Sequence, residues 1–126
     1  MTKTFFITGT DTEVGKTVST VALLRAANKQ GLLTAAYKPV ASGCDLMEDG
    51  LCNQDVVMLQ KNTSLHLAYD EVVGYCFEPH IAPHIAAEET GVPIEFDVLS
   101  EGLNRLRETD ADVLFVEGAG GWRLPV

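Results

Sequence analysis

The stretch from Phe5 to Thr17, F-F-I-T-G-T-D-T-E-V-G-K-T, constrains this chain more than any other. An apolar run (Phe5, Phe6, Ile7) delivers the backbone to a loop bounded by Gly9 and Gly15, which closes on Gly-Lys-Thr where a helix is predicted to begin, near Lys16. Unpaired N–H groups in such a loop, and in the first turn of the helix behind it, point inward at an anion. The two glycines let the backbone take positive φ and approach oxygens closely. Lys16 then supplies a mobile point charge for β and γ phosphates, and the Thr17 hydroxyl is a ligand for Mg²⁺. Five residues separate the two glycines, where the common phosphate-loop spacing has four. The mechanics survive that departure, because they rest on a strand, a glycine-bounded loop and a helix N-terminus in that order.

The rest of the chain has the makings of one domain around this loop. Its 126 residues, 46% hydrophobic and 21% charged, are enough for a core and ordinary for a soluble globular protein. No window reaches the roughly 18 consecutive apolar residues that span a bilayer, and the N-terminus lacks a basic segment followed by an apolar signal core. A cytoplasmic protein with no membrane partner is expected. A net charge of −9 argues against a non-specific nucleic-acid binder. Cys44, Cys52 and Cys76 are odd in number and lack C-x-x-C spacing, so reduced thiols are expected rather than a disulfide framework or a zinc site.

Taken in order, residues Thr17 to Gln30 read as a helix carrying Val18, Val21, Ala22 and Leu24, with Lys29 in its last turn and Gly31 as its stop. Leu32 to Val40 reads as a second strand, at the distance of a strand-helix-strand crossover, and parallel pairing follows. Pro39 is predicted to end that ladder, leaving Lys38 and Ser42 at the carboxyl edge, where open parallel sheets bind ligands. Cys44 to Gly50 is loop-like, and Asn53-Gln54-Asp55 opens a short helix ending near Lys61-Asn62. Asp55, in its first turn, is either a carboxylate complementing the helix dipole or a metal ligand beside Thr17. Glu71 to Phe77 is a possible extended piece. Pro79 and Pro83 then forbid a regular helix until His84 to Glu89, so His80 and His84 are read as surface or ligand-loop residues rather than a zinc pair. Ile94 to Glu108 has the best helical pattern, with Phe96, Leu99, Leu103 and Leu106 on one side and Glu101 and Arg105 at i, i+4 elsewhere. Asp112 to Val116 reads as a strand covered on both faces. It runs into Glu117, a carboxylate at a strand tip, well placed to meet a metal or water held by the phosphate loop.

With these stretches in hand, the chain closely resembles the dethiobiotin synthetase family. The resemblance is carried by G-T-D-T-E-V-G-K-T (Gly9 to Thr17), Y-K-P-V-A-S-G (Tyr37 to Gly43), N-Q-D (Asn53 to Asp55), A-P-H (Ala82 to His84) and V-E-G-A-G-G (Val116 to Gly121), in that order and over the whole chain. The extra loop residue is characteristic of that family. The resemblance implies an α/β, P-loop NTPase-like parallel sheet flanked by helices, incomplete because the chain stops at Val126, where family members continue into further strands, the adenine-recognising segment and much of the dimer contact. Residues 1–126 are thus expected to form a single P-loop nucleotide-binding domain truncated at its C-terminus. The implied activity is an ATP- and Mg²⁺-dependent cyclo-ligase that joins 7,8-diaminopelargonate and CO₂ into a cyclic urea, as a homodimer in the full-length family. By the same resemblance, Glu13, Val14, Gly15, Lys16, Thr17, Val18, Asp55, Glu117, Gly118 and Gly120 would surround the nucleotide, with Thr17, Asp55 and Glu117 around Mg²⁺. Thr12, Lys38 and Ser42 would meet the diamine and its carbamate, and Lys16 and Lys38 would be the catalytic cations. An amide-forming ligase of the cobyrinic acid diamide synthase type shares the loop, but usually carries a glutaminase domain with a reactive cysteine. A partition-type ATPase needs a second lysine inside the loop, where this chain has only Lys16. A non-catalytic nucleotide-binding fragment is the remaining alternative.

Overall fold

The stretch read as a strand covered on both faces, and the second predicted strand, become the two central strands of a parallel sheet. The computed structural model describes residues 2–7, 13–41, 44–47, 50–77, 88, 91 and 93–118. The chain runs through β1 (Lys3–Ile7), α1 (Glu13–Lys29), β2 (Thr34–Ala41), β3 (Asp45–Met47), β4 (Gly50–Cys52), α2 (Gln54–Asn62), α3 (Tyr69–Val72), β5 (Val73–Cys76), α4 (Phe96–Arg107) and β6 (Val113–Glu117). The strand order is β1-β6-β2-β5, parallel throughout, with β3 and β4 as a separate antiparallel pair. This is the expected α/β, P-loop NTPase-like sheet flanked by helices.

The expected crossover from β1 to β2 is present, but the two strands do not pair directly. Phe115 of β6 registers with Phe5 on one side and Ala36 on the other. The last strand to be made is inserted between the first two, which buries all of β6 and all of β2. Period-two alternation then sorts the side chains. Ala36, Val113 and Phe115 pack with Val21 and Leu24 of α1 and Val56 and Leu59 of α2. Ala35, Tyr37, Leu114 and Val116 turn to the opposite face, under Leu106 of α4. As its pattern predicts, α4 covers one sheet face, although Phe96 at its start is exposed.

Several local expectations shift. Helix α1 begins at Glu13, ahead of the predicted start near Lys16, so Lys16 and Thr17 lie in the turns whose N–H groups lack intrahelical partners or follow directly on them. It stops where predicted: Gly31 takes φ +80°, and the Leu32 N–H returns to the Ala27 carbonyl at 3.2 Å. Of its apolar residues, Val21 and Leu24 are buried while Val18 is exposed. Pro39 does not end β2. The ladder with β5 steps over it, from Lys38↔Val73 to Val40↔Tyr75 and Ala41↔Cys76, so the one missing donor is carried by its neighbours. The segment predicted as loop from Cys44 to Gly50 contributes β3 and the start of β4. The piece from Glu71 begins as the last residues of α3 and becomes extended only at Val73. Helix α2 opens where the Asn53-Gln54-Asp55 run predicts, and Asn53 caps it, its Oδ1 accepting the Val56 N–H at 3.1 Å.

On the α4 face, Tyr37 is buried and its hydroxyl donates to the Leu99 carbonyl at 3.1 Å. Desolvation pushes its phenol up to about 12, against the opposing pull of Arg105. No helix among the described residues is long and apolar enough to cross a membrane.

Candidate functional site

The rows of side chains facing α1 turn charged toward their carboxyl ends. On β6 the row runs Val113, Phe115, Glu117, and on β2 it runs Ala36, Lys38. Both charged residues are buried, Lys38 at 1% and Glu117 at 0% exposure. Their side chains meet, with the Lys38 Nζ 3.2 Å from the Glu117 Oε1. The same carboxylate oxygen accepts the Thr17 hydroxyl at 2.9 Å, so α1, β2 and β6 converge on one atom. Lys16 is also buried and donates from Nζ to the Gly118 carbonyl at 2.5 Å, just past the tip of β6. Gly118 in turn donates its N–H to the Ile7 carbonyl at 3.1 Å, which ties that tip to the end of β1.

Two ammonium groups, a carboxylate and a hydroxyl are therefore gathered at the carboxyl edge of the sheet, in a chain whose net charge is −9. Burying such groups costs free energy that their mutual attraction only partly returns. The cost is understandable if the cations serve an anion and the hydroxyl and carboxylate serve a hard cation. Lys38 was legible as a second cation, but not as a buried one. Its burial follows from β2 continuing through Pro39.

Of the other residues singled out from sequence, Asp55 lies half-buried in the first turn of α2 and makes none of these contacts; α2 packs on α1. Gly15 and Val18 are exposed on α1, and Glu13 and Val14 form its first residues. Thr12, Ser42 and Gly120 lie outside the described residues, as do Gly9, His80, His84 and most of the helix predicted from His84 to Glu89. Among the described residues no group of three His, Cys, Asp or Glu side chains is placed to hold a metal ion, so a metal here would draw on a hydroxyl and on ligand oxygens as well.

One expectation is overturned. Cys44 and Cys76, taken as reduced thiols, form a disulfide, and Cys52 is the free cysteine. The pairing follows from register, since Ala41 pairs with Cys76 and the chain leaving β2 returns to hydrogen-bond Phe77. Sequence reasoning also missed Tyr69, whose hydroxyl accepts the Asn53 N–H at 2.9 Å at the start of α2. Burial raises its phenol pKa, the Asn53 contact opposing. Nothing in the spacing of residues 53 and 69 signals that contact.

A helix that offers lysine and threonine in its opening turns to a carboxylate on a neighbouring parallel strand is the arrangement of the P-loop NTPase-like α/β proteins. Within that class the chain belongs to the AAA domain family, whose profile matches residues 3–126. It is similar to the ATP-dependent dethiobiotin synthetase BioD of Tolumonas auensis, with 61% identity over 127 residues that cover 100% of this chain and 56% of the relative. The proteins of the same name from Yersinia pestis bv. Antiqua and Serratia marcescens are each 52% identical over 126 residues, covering 52% and 55% of their own lengths. The chain thus spans about half the length of the curated relatives it matches.

Proposed function

We propose that this chain carries the phosphate-handling and carbamate-handling part of an ATP-dependent dethiobiotin synthetase. One amine of 7,8-diaminopelargonate takes up CO₂ and loses a proton to give a carbamate. ATP phosphorylates the carbamate oxygen, giving ADP and a mixed carbamic-phosphoric anhydride, and the second amine attacks the carbonyl, expelling phosphate and closing the cyclic urea. The observation that carries this reading is the convergence of Lys16, Thr17, Lys38 and Glu117 at one sheet edge, in a chain whose relatives are named for this synthesis.

Each residue has a part in it. Glu13, Val14, Gly15, Lys16, Thr17 and Val18 supply the helix N-terminus and cation that hold the ATP phosphates, with Asp55, Glu117, Gly118 and Gly120 around the nucleotide. Lys38 stabilises the carbamate and the anhydride as a buried cation, with Thr12 and Ser42 positioning the diamine. Glu117 holds Lys38 and Thr17 in place through one oxygen. Thr17, Asp55 and Glu117 offer hard oxygen ligands that suit Mg²⁺, which when bound would neutralise charge on the β and γ phosphates. The whole enzyme would act in the cytoplasm as a homodimer, with residues 1–126 as one nucleotide-binding domain.

Incubating the full-length protein with 7,8-diaminopelargonate, CO₂, ATP and Mg²⁺ should yield the cyclic urea by mass, with ADP and phosphate in equal amounts. Lys16→Ala should largely abolish turnover. Lys38→Ala should raise the KM for the diamine more than that for ATP. A full-length protein that hydrolyses ATP without forming the urea would overturn the reading.

A further inference from the structure

The disulfide is not absorbed by this chemistry, yet it lies at the same edge of the sheet. Cys44 and Cys76, with Cα atoms 6.2 Å apart, join the chain leaving β2 to the last residue of β5. The backbone is tied there independently of the sulfurs: Phe77 donates its N–H to the Ala41 carbonyl at 2.8 Å, and Cys44 donates its N–H to the Phe77 carbonyl at 2.9 Å. These two hydrogen bonds bring the cysteines within reach of each other, and the disulfide adds a covalent tie to them. Beyond them, the Tyr69 hydroxyl lies 3.3 Å from the Cys76 Sγ while accepting the Asn53 N–H. A disulfide sulfur carries no proton, so the phenol is the donor. Asn53 caps α2 two residues before Asp55, and β2 carries Lys38 three residues before Ala41.

We propose that Cys44–Cys76 is a reversible thiol–disulfide latch, which sets how firmly the chain at Cys44 and, through Tyr69, the N-terminus of α2 are held at the carboxyl edge of the sheet. A dithiol reductant opens it. One thiolate of the donor attacks a protein sulfur and displaces the other as thiolate. The donor's second thiol then resolves the mixed disulfide, so the bond takes up two electrons and two protons and the donor leaves as a disulfide. The phenol beside Cys76 is placed to hydrogen-bond the emerging thiolate, which favours Cys76 as leaving group. Disulfides in compartments kept reducing are characteristically transient or redox-sensing rather than structural. The latch concerns the frame of the site, and it stands whichever reaction the site performs.

The test equilibrates the full-length protein in graded ratios of reduced to oxidised dithiothreitol, alkylates it and quantifies each cysteine by mass. Cys44 and Cys76 should become alkylated together in one two-electron transition, with Cys52 as a control outside it. Amide exchange, followed in parallel, should quicken several-fold on reduction at residues 44 and 53–57 and stay unchanged at 113–117. Tyr69→Phe should keep the cysteine transition but make exchange at 53–57 independent of redox state. The Cys44→Ser, Cys76→Ser pair should show the reduced-state exchange rates at every ratio. Alkylation of both cysteines to the same extent at all ratios, or exchange at 44 and 53–57 that ignores reduction, would overturn the latch.

Discussion

Lys38 and Glu117 form a buried ion pair across β2 and β6. Each is nearly inaccessible to water, and an apolar pair of similar volume would hold β2 to β6 at least as well, because desolvating two charges costs several kcal/mol apiece. Removing one partner is another matter. Glu117→Ala takes from the buried Lys38 ammonium the carboxylate it faces, and the expected loss is about 3–5 kcal/mol by denaturant titration. The double variant Lys38→Met, Glu117→Leu should recover most of that stability, and, on the roles proposed above, the full-length protein carrying it should form no cyclic urea. If the double variant still formed the cyclic urea, the pair would be structural only.

Among the elements, the contact between α4 and the sheet depends on two glycines around Tyr37. A Cβ on Gly102 would lie 2.5 Å from the Tyr37 Oη, and one on Gly74 would lie 2.8 Å from the Leu99 Cδ2 and closer still to the Pro39 carbonyl. The two sites differ in what can yield. At Gly74 the obstacle is backbone, so Gly74→Ala should cost about 1–3 kcal/mol and lower the Tm by several degrees. At Gly102 the nearest atom is a hydroxyl, so Tyr37→Phe should cost less in a Gly102→Ala background than in the parent protein, despite losing the bond to Leu99. Additive effects in that cycle would show that α4 shifts rather than presses on the ring. The helix itself was legible in the spacing of Phe96, Leu99, Leu103 and Leu106. The glycine contacts were not, because they join positions 37, 74 and 102, which no local pattern connects.

For the molecule as a whole, the edge strand β1 is the exposed flank of the described sheet. Phe5 is 50% and Phe6 43% exposed, and with Ile7, Leu23, Leu32 and Phe115 they line an apolar groove of about 620 Å³ between β1 and α1. An unpaired apolar edge is a template for association. The polypeptide of residues 1–126 should therefore self-associate at micromolar concentration by sedimentation velocity. Phe5→Glu should reduce that association. A monodisperse monomer from the parent polypeptide would show that β1 is protected in another way.

The sequence by itself determined helix α1 and its stop at Gly31, the carboxylate at the tip of β6, the start of α2 and the α/β class. Each of these is written in residues adjacent in the chain: a helix-ending glycine, the Asn53-Gln54-Asp55 run, a period of 3.6 or 2. Only the tertiary structure decided that β6 lies between β1 and β2, that Lys38 is buried against Glu117, that Cys44 meets Cys76 and that Tyr69 reaches Asn53. Those outcomes depend on strand order and register. Local propensity is silent on both, because they are fixed by which apolar faces find each other once the helices have closed over the sheet.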